Sequence, residues 1–131
     1  EVVDKLAADK GGIPARLDGK LIVLEEFRIP PSFDPKTVRV FATNVFYFDA
    51  EALLHLDMKW SYFTVNKKVD DQPVVQFERL VNEVTSVLPT AYLHMPRDGL
   101  ASRFLPVKDN DELAARVPEI LAVARARGII S

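Results

Sequence analysis

The stretch SRFLPVKDNDEL, Ser102–Leu113, places a strand signal, a lysine and a helix start in direct succession. Phe104–Val107 is a short apolar run, which predicts a strand interrupted by a proline. Asp109 and Glu112 have the spacing of a capping box, which predicts the start of a helix. Lys108 therefore stands at the carboxyl end of a predicted strand, where open α/β sheets usually place their ligands.

Upstream of this stretch, the pattern predicts a hairpin and several short strands. Ile13–Arg16 and Leu21–Glu25 flank an Asp18-Gly19 turn, which is typical of a β-hairpin. Three prolines make Ile29–Pro35 a loop, because proline cannot donate to a strand ladder. The other predicted strands are Val38–Phe41, Phe63–Val65 and Ala91–Met95, with a turn at Thr43-Asn44 and a polar loop at Lys67–Gln72.

Three helices are predicted between and after these strands. Asp49 is a candidate N-cap for a short helix through Leu56, and its leucines are expected to pack inward at Leu53, Leu54 and Leu56. Apolar residues recur at helical spacing over Val74–Leu88, which predicts a second helix. Gly128 is expected to end the last helix. Alternating strands and helices predict an α/β fold with a mixed sheet flanked by helices.

The composition excludes several classes of function. The 131 residues are 48% hydrophobic and 27% charged, and the net charge of −2 gives no basic field for nucleic acid or anionic lipid. The chain has no cysteine, which excludes disulfides and cysteine-bound zinc. No apolar run approaches the roughly 20 residues of a membrane span. The segment EVVDKLAADK lacks the features of a signal peptide, so we expect a cytoplasmic protein.

Most residues that often carry chemistry have a structural interpretation here. His55 and His94 lack partners at the spacing of a metal site or a catalytic triad, and we predict structural roles for both. Trp60 and the aromatic run 46–48 are predicted to be core. Arg97 and Arg103 flank a loop and are candidate phosphate ligands, although a surface arginine is more often simply solvated.

Three further positions are candidates for binding a small polar ligand. Lys10-Gly11-Gly12 allows close approach of the backbone to a ligand, although a turn into the hairpin also explains it. Asn44 follows a predicted strand and can donate and accept hydrogen bonds, as a sugar hydroxyl requires. Glu25 ends a strand, and a carboxylate facing inward there needs hydrogen-bond donors.

Read in order, EVVDKLAADKGG, GKLIVLEE, VRVFATN, VVQFE and SRFLPVK resemble the eukaryotic-type UTP–glucose-1-phosphate uridylyltransferases of the UDPGP family. The resemblance covers residues 1 to about 113. It implies a Rossmann-like nucleotide-diphospho-sugar transferase fold. It also implies that UTP and glucose 1-phosphate are converted to UDP-glucose and pyrophosphate with the help of Mg²⁺.

The resemblance also assigns roles to single residues. Lys108 matches the family's catalytic lysine, which contacts the reacting phosphates. Asn44 matches an asparagine that binds the sugar, and Glu25 matches a glutamate that bonds to sugar hydroxyls. Gly11, next to Lys10, matches a backbone contact to the substrate.

Three departures from the family pattern limit what the resemblance implies. Ala42 replaces an asparagine that contacts the sugar, and Asp98–Ala101 lengthens the loop before SRFLPVK. The family's glycine-rich phosphate loop and its metal-binding aspartate have no match in these residues. We therefore expect residues 1–131 to be a single domain or fragment, the sugar-binding half of a nucleotidyltransferase domain, with the magnesium ligands mostly elsewhere.

A sugar-binding half of a nucleotidyltransferase leads to two further expectations, and two alternative functions stay open. The 131 residues alone are expected to be inactive, and exposed strand edges are expected to allow pairing of two copies. One alternative is a pyrophosphorylase for another UDP-sugar, such as UDP-N-acetylhexosamine, which Ala42 favours. The other is a non-catalytic binding or assembly module that retains the fold.

Overall fold

The computed structural model describes residues 1–7, 9–34 and 37–131, so the predicted loop residue Pro35 lies outside the described residues. The strands are β1 Val2–Asp4, β2 Ile13–Leu17, β3 Lys20–Leu24, β4 Val40–Ala42, β5 Phe63–Val69 and β6 Gln72–Glu78. The α-helices are α1 Ala50–Leu54 and α2 Asn110–Ala126, and 3₁₀-helices span Glu26–Arg28 and Val81–Ser86.

The innermost strand is β1, which has a neighbour on each side. It pairs antiparallel with β4, placing Val3 opposite Phe41. On its other side Val2 makes an isolated parallel bridge to His94, through hydrogen bonds of 2.9 Å to Leu93 and Met95. Val3 is 1% exposed, so the small core is built around β1. Its other buried apolar members are Val2, Ile13, Ile22, Val23, Phe41, Ala42, Val84 and Val123.

The predicted hairpin is confirmed as β2 and β3. Both turn residues, Asp18 and Gly19, have positive φ, at 48° and 81°, which is the backbone that a two-residue hairpin turn requires. The hairpin packs on the second 3₁₀-helix, where the amide of Val23 donates to Thr85 Oγ1 over 2.9 Å. On its other flank the amide of Ala42 donates to the Gly12 carbonyl over 2.8 Å. This packing brings β3, β4 and Gly12 together.

The helix predicted over Val74–Leu88 and the loop predicted over Lys67–Gln72 are both wrong. These residues form the hairpin of β5 and β6, followed by the 3₁₀-helix. The turn is Asp70-Asp71, whose φ angles of 49° and 62° suit a two-residue hairpin connection. The apolar spacing over Val74–Leu88 fits a helix, but adjacent β-branched valines favour a strand when a partner strand is close.

The strands predicted around SRFLPVK are also corrected. Phe104–Val107 forms no ladder among the described residues, and Ala91–Met95 contributes only the bridge at His94. The strand expected at Val38–Phe41 is β4, which begins two residues later and ends one residue later than predicted. A proline inside Phe104–Val107 removes a ladder donor, which explains why side-chain contacts rather than a strand ladder hold that segment.

The N-cap at Asp49 and the end of the last helix before Gly128 are confirmed, whereas α1 ends at Leu54, two residues before the predicted Leu56, and the inward packing of the leucines is not confirmed. Asp49 accepts from the amides of Glu51 and Ala52, and α2 ends just before Gly128, whose φ is +67°. Leu53 and Leu54 are 39% and 83% exposed, and Leu56, which follows the helix, is half-buried. The aromatic run 46–48 is half-buried to exposed rather than core, and Trp60 is half-buried.

The fold class is confirmed at the level of a small mixed α/β structure with short antiparallel sheets. The Rossmann-like arrangement remains a prediction. Within the described residues, no helix is both long enough and apolar enough to cross a membrane.

Candidate functional site

The glycine pair before β2 lies directly against the end of β3. Gly11 has a φ of 154°, and Gly12 is buried. A Cβ on Gly12 would lie 2.6 Å from Val23 Cγ1 and 3.1 Å from Glu25 Oε1. Glycine is therefore required at position 12, and its absent side chain lets the backbone approach the Glu25 carboxylate. Lys10, just before it, is exposed.

Glu25 is held from inside the protein by a residue that sequence reasoning missed. Asn82, 3% exposed in the second 3₁₀-helix, donates from Nδ2 to Glu25 Oε1. Burial raises the pKa of Glu25 above its ordinary value, while the hydrogen bond from Asn82 and the charge of Arg28 oppose that shift. Asn82 fixes one carboxylate oxygen, so the other remains for a hydroxyl donor. The sequence offered one signal for Asn82: an asparagine between apolar residues needs a hydrogen-bond partner if it is buried.

The raised pKa of Glu25 predicts how stability changes with pH. A carboxyl group whose folded pKa is raised favours the folded state below its unfolded pKa, near 4.5, and loses that contribution as pH rises. Glu25→Gln keeps an acceptor for Asn82 without the charge. We expect its melting temperature to equal or exceed that of the unsubstituted protein at pH 7, with the difference vanishing below pH 4.5.

Differential scanning calorimetry from pH 3.5 to 8 measures this effect. Glu26→Gln is the matched control, because Glu26 is exposed beside Glu25 and should change little. If Glu25→Gln melted at a lower temperature than the unsubstituted protein at pH 7 and at the same temperature at acid pH, the stability change would have the opposite sign. That result would contradict a raised pKa for Glu25.

A second group of polar residues surrounds the turn after β4. Asn44 is exposed there with a φ of +62°, a conformation that asparagine tolerates better than most residues. Its neighbour Thr43 donates from the backbone to the Glu1 carbonyl over 3.1 Å. Arg103 approaches the same residue, with Nε 3.8 Å from Glu1 Oε1, and donates to the Tyr47 hydroxyl over 3.1 Å. Arg103 and the turn that carries Asn44 thus share Glu1 as a neighbour.

Arg97 uses its guanidinium within the protein. It donates to both carboxylate oxygens of Asp9, over 2.8 and 3.0 Å, and to the Asp4 carbonyl over 2.6 Å. Its Cζ also lies 5.5 Å from the ring centres of both Phe41 and Phe104. Burial alone would raise the pKa of Asp9, but the hydrogen bonds from Arg97 and the Leu6 amide, with nearby positive charge, lower it. The bidentate grip expected for a phosphate is here made on a carboxylate.

The SRF residues fasten their segment to the core. Ser102 is fully buried and donates from Oγ to the Arg97 carbonyl over 2.6 Å. Arg127, just after α2, donates to the Ser102 carbonyl over 2.6 Å. Phe104 packs edge-on against Phe41, with ring centres 5.4 Å apart. These contacts set where the chain leaves the core before Lys108.

Lys108 lies exposed immediately before α2. Its backbone amide donates to Glu112 Oε2, and the Glu112 amide donates to Asp109 Oδ1, each over 2.8 Å. The predicted capping pair is therefore confirmed, with the return bond made to Lys108 rather than to Asp109. This reciprocal cap fixes the backbone of Lys108 and leaves its ammonium group in solvent.

The structure brings some of the predicted residues together and leaves others apart. Gly12 and Glu25 meet, and Arg103 shares a neighbour with the turn of Asn44. Within residues 1–7, 9–34 and 37–131, no hydrogen bond or ion pair joins Lys108 to Glu25. The two histidines are exposed, and His94 pairs with Asp4 over 2.9 Å.

A cavity of about 600 Å³ opens beside β4 and the turn after it. Its lining includes Ala42, Tyr47, Thr85, Thr90 and Tyr92. The Tyr92 hydroxyl donates to the Ile22 carbonyl, and burial raises the pKa of that hydroxyl. The cavity has a size and a mainly apolar lining typical of small-molecule sites, but Glu25, Asn44 and Lys108 are not among the residues that line it.

Across the part of the chain that the structure describes, no three Asp, Glu, His or Cys side chains converge as a metal site would require. These residues do not by themselves fit the Mg²⁺ that the resemblance implies.

Comparison with known families matches residues 1–126 to the family model described as UTP–glucose-1-phosphate uridylyltransferase. A search of curated proteins found no significant match. The family match covers all the site residues described above, from the glycine pair to the capped lysine.

Proposed function

Because the chain belongs to the UTP–glucose-1-phosphate uridylyltransferase family, we propose that it supplies the sugar side and the catalytic lysine of a uridylyltransferase. The proposed reaction converts UTP and glucose 1-phosphate to UDP-glucose and pyrophosphate. The observation that carries the proposal is the ordered family match over residues 1–126, which includes every proposed site residue.

The contacts of Glu25 support a role in binding sugar hydroxyls. Its carboxylate lies beside Gly12, where no side chain intervenes, and Asn82 fixes one of its oxygens. A half-buried carboxylate fixed in this way discriminates against a sugar that lacks the matching hydroxyl, because that sugar would leave the second carboxylate oxygen unpaired. Asn44 is proposed to bind the sugar from the turn after β4, with Gly11 and Lys10 nearby.

Lys108 is proposed to neutralise charge on the reacting phosphates. Nucleotidyl transfer depends mainly on positioning and on stabilising the negative charge of phosphorus oxygens. A lysine is a compact positive charge suited to that task. Its exposed ammonium group and its fixed backbone at the start of α2 support the role.

The two candidate arginines are proposed to have different roles. Arg97 is engaged by Asp9, so we propose that it supports the segment leading to Lys108 rather than the phosphates. Arg103, whose side chain is 45% exposed, remains the candidate for a phosphate contact.

We propose further that these residues work as the sugar-binding half of a larger catalytic unit. The chain exposes 9792 Å², whereas a compact protein of 14.7 kDa exposes about 7,000 Å². Such a large surface supports packing against further protein that supplies the nucleotide contacts and the magnesium ligands. On this proposal the 131 residues alone have no transferase activity.

A second candidate substrate is another sugar 1-phosphate, such as an N-acetylhexosamine 1-phosphate. Ala42 favours it, because this small side chain borders the 600 Å³ cavity at a position where the family resemblance implies a larger asparagine. The space beside Ala42 would accept a substituent on the sugar.

A panel of sugar 1-phosphates tests both candidates. The full-length protein is incubated with UTP and each sugar, and pyrophosphate release is measured. We expect the highest kcat/KM with glucose 1-phosphate, and Ala42→Asn should lower the ratio of N-acetylhexosamine to glucose activity. Highest activity with an N-acetylhexosamine would select the second candidate, and no release with any sugar would reject the proposed reaction.

A further inference from the structure

The two halves of the proposed substrate site come from distant parts of the chain. Lys10–Gly12, the sugar segment, lies on the side of the sugar, and Ser102–Lys108, the lysine segment, ends at the proposed catalytic lysine. Since both segments must act on one sugar phosphate, the protein has to fix their relative placement. Asp9 directly precedes the sugar segment, and Arg97 lies shortly before the lysine segment. The ion pair between these two residues therefore joins the two halves.

Asp9 is held in a closed turn as well as by Arg97. The Leu6 amide donates to Asp9 Oδ2 over 2.7 Å, and the Asp9 amide donates back to the Leu6 carbonyl over 3.1 Å. Arg97 donates to both oxygens of the same carboxylate, from Nη1 to Oδ2 over 2.8 Å and from Nη2 to Oδ1 over 3.0 Å. A bidentate pair fixes the orientation of its partners as well as their distance, because the guanidinium is a planar fork.

Arg97 is attached in turn to β1 and to the lysine segment. Its guanidinium donates to the Asp4 carbonyl over 2.6 Å, and its Cζ lies 5.5 Å from the ring centre of Phe104. Its backbone carbonyl accepts from Ser102 Oγ, also over 2.6 Å. One arginine therefore contacts the lysine segment at two points while its guanidinium holds Asp9.

The lengthened loop Asp98–Ala101 does not separate Arg97 from the lysine segment. Ser102 closes this loop, because its amide donates to the Gly99 carbonyl over 3.0 Å while its hydroxyl donates to the Arg97 carbonyl. Arg127 holds the Ser102 carbonyl from the end of α2. The start of the lysine segment is thus fixed beside Arg97.

The burial of the Asp9–Arg97 pair argues for a role in orientation. The two side chains are 17% and 11% exposed. Burial alone would raise the pKa of Asp9, but the hydrogen bonds from Arg97 and the Leu6 amide lower it, so the carboxylate is ionised at neutral pH. A buried ion pair loses hydration that packed apolar residues would not lose, so net stability alone gives little reason for it. Its directional bonds supply what apolar residues cannot, which is a fixed angle between two segments.

We propose that Asp9 and Arg97 are positioning residues, which hold Lys108 at a fixed place relative to the sugar segment. The inference rests on the proposed function, because it requires both segments to act on the same sugar phosphate. Neither residue touches the substrate, since Asp9 and Arg97 occupy each other. Their effect comes through Lys108, because a displacement of about 1 Å in a catalytic group can lower a rate about a hundredfold.

Asp9→Asn in the full-length protein tests this role. Asparagine keeps the size of the side chain, but its amide opposes one guanidinium donor and so ends the bidentate pair. We expect kcat to fall at least about tenfold, because Lys108 is no longer held in place. The KM for glucose 1-phosphate should change by less than about threefold, because Glu25 and Asn44 keep their contacts. Steady-state pyrophosphate release measures both constants.

The matched control is Asp4→Asn, which removes another carboxylate from the same part of the chain. The Asp4 side chain is 67% exposed and pairs with His94, whereas Arg97 binds the Asp4 backbone carbonyl. We expect its kcat and KM to equal those of the unsubstituted protein.

A double-mutant cycle with Lys108→Ala separates positioning from a general structural role. If Asp9 acts through Lys108, Asp9→Asn should lower kcat by less than about twofold once Lys108 has been replaced. Independent effects would multiply, so the double variant would be at least about tenfold slower than Lys108→Ala. Such multiplication, or normal turnover of Asp9→Asn in an otherwise active protein, would overturn the inference alone. No turnover by the unsubstituted protein would overturn the proposed reaction together with it.

Asp9→Glu covers the case in which Asp9→Asn does not fold. Glutamate keeps the charge and the pairing with Arg97, but its extra methylene lengthens the connection by about 1.5 Å. We expect a melting temperature close to that of the unsubstituted protein and a loss of kcat of at least about tenfold. Unchanged turnover of Asp9→Glu at an unchanged melting temperature would also overturn the inference.

Discussion

Lys108→Ala is expected to lower the turnover number of the full-length protein at least about a hundredfold. The lost charge would stabilise the phosphorus oxygens in the transition state, and loss of such a group costs on the order of 3 kcal/mol. Its removal should leave the fold unchanged, because the Lys108 side chain is exposed and its backbone is fixed by Glu112. Steady-state pyrophosphate release with UTP and glucose 1-phosphate measures the effect.

The matched control for this variant is Lys59→Ala, which removes another exposed lysine, located after α1. We expect its turnover to match that of the unsubstituted protein. The two variants should also have the same melting temperature. A near-normal rate for Lys108→Ala would remove Lys108 from the mechanism.

Arg97→Ala is expected to cause the largest loss of stability of any substitution considered. It would delete two bonds to Asp9, one bond to the Asp4 carbonyl and the stacking on Phe41. The Arg97 and Asp9 side chains are only 11% and 17% exposed, so Asp9 would be left largely buried without its partner. Breaking such a pair costs about 3 kcal/mol, or roughly 10 °C in melting temperature for a chain of this size.

The pH dependence separates loss of this ion pair from loss of packing. A carboxyl group whose folded pKa is lowered stabilises the protein above its unfolded pKa, near 3.8, and loses that contribution as pH falls further. The difference in stability between Arg97→Ala and the unsubstituted protein should therefore be greatest near neutrality and shrink below pH 3.8. Calorimetry at pH 7 and pH 3 measures both values.

Arg103→Ala is the control for the arginine prediction. Arg103 is more exposed and its contact with Glu1 is longer, at 3.8 Å, so the expected loss is below about 1 kcal/mol. Equal losses of stability for the two variants at pH 7 would contradict the prediction that the contacts of Arg97 stabilise the fold more than those of Arg103.

The parts of the fold that the sequence predicted correctly depend on neighbouring residues. The Asp18-Gly19 turn determines its own hairpin, and the two helix caps use side chains within three residues of the amides they bind. The β5–β6 hairpin was missed because its Asp70-Asp71 turn lacks the glycine that usually marks a two-residue connection. Without the turn, the valines of β6 fitted a helical spacing.

The candidate site was only partly predictable, because its supporting contacts join distant parts of the chain. Asn82 meets Glu25 across 57 residues, and Arg97 meets Asp9 across 88. The sequence shows that these polar residues would need hydrogen-bond partners if buried. It does not show which distant residues those partners are. The residue pattern identified Glu25, Asn44 and Lys108 as candidates, and the family resemblance supplied their roles. The structure added Asn82 and the internal role of Arg97.

We propose that a sugar 1-phosphate attacks UTP at a site to which this chain contributes. Mass spectrometry of products made by the full-length protein from UTP and glucose 1-phosphate, with ¹⁸O at every phosphate oxygen, tests it directly. The predicted result is UDP-glucose that retains all the label, together with unlabelled pyrophosphate. Label in the released pyrophosphate, or no UDP-sugar from any sugar 1-phosphate, would contradict it.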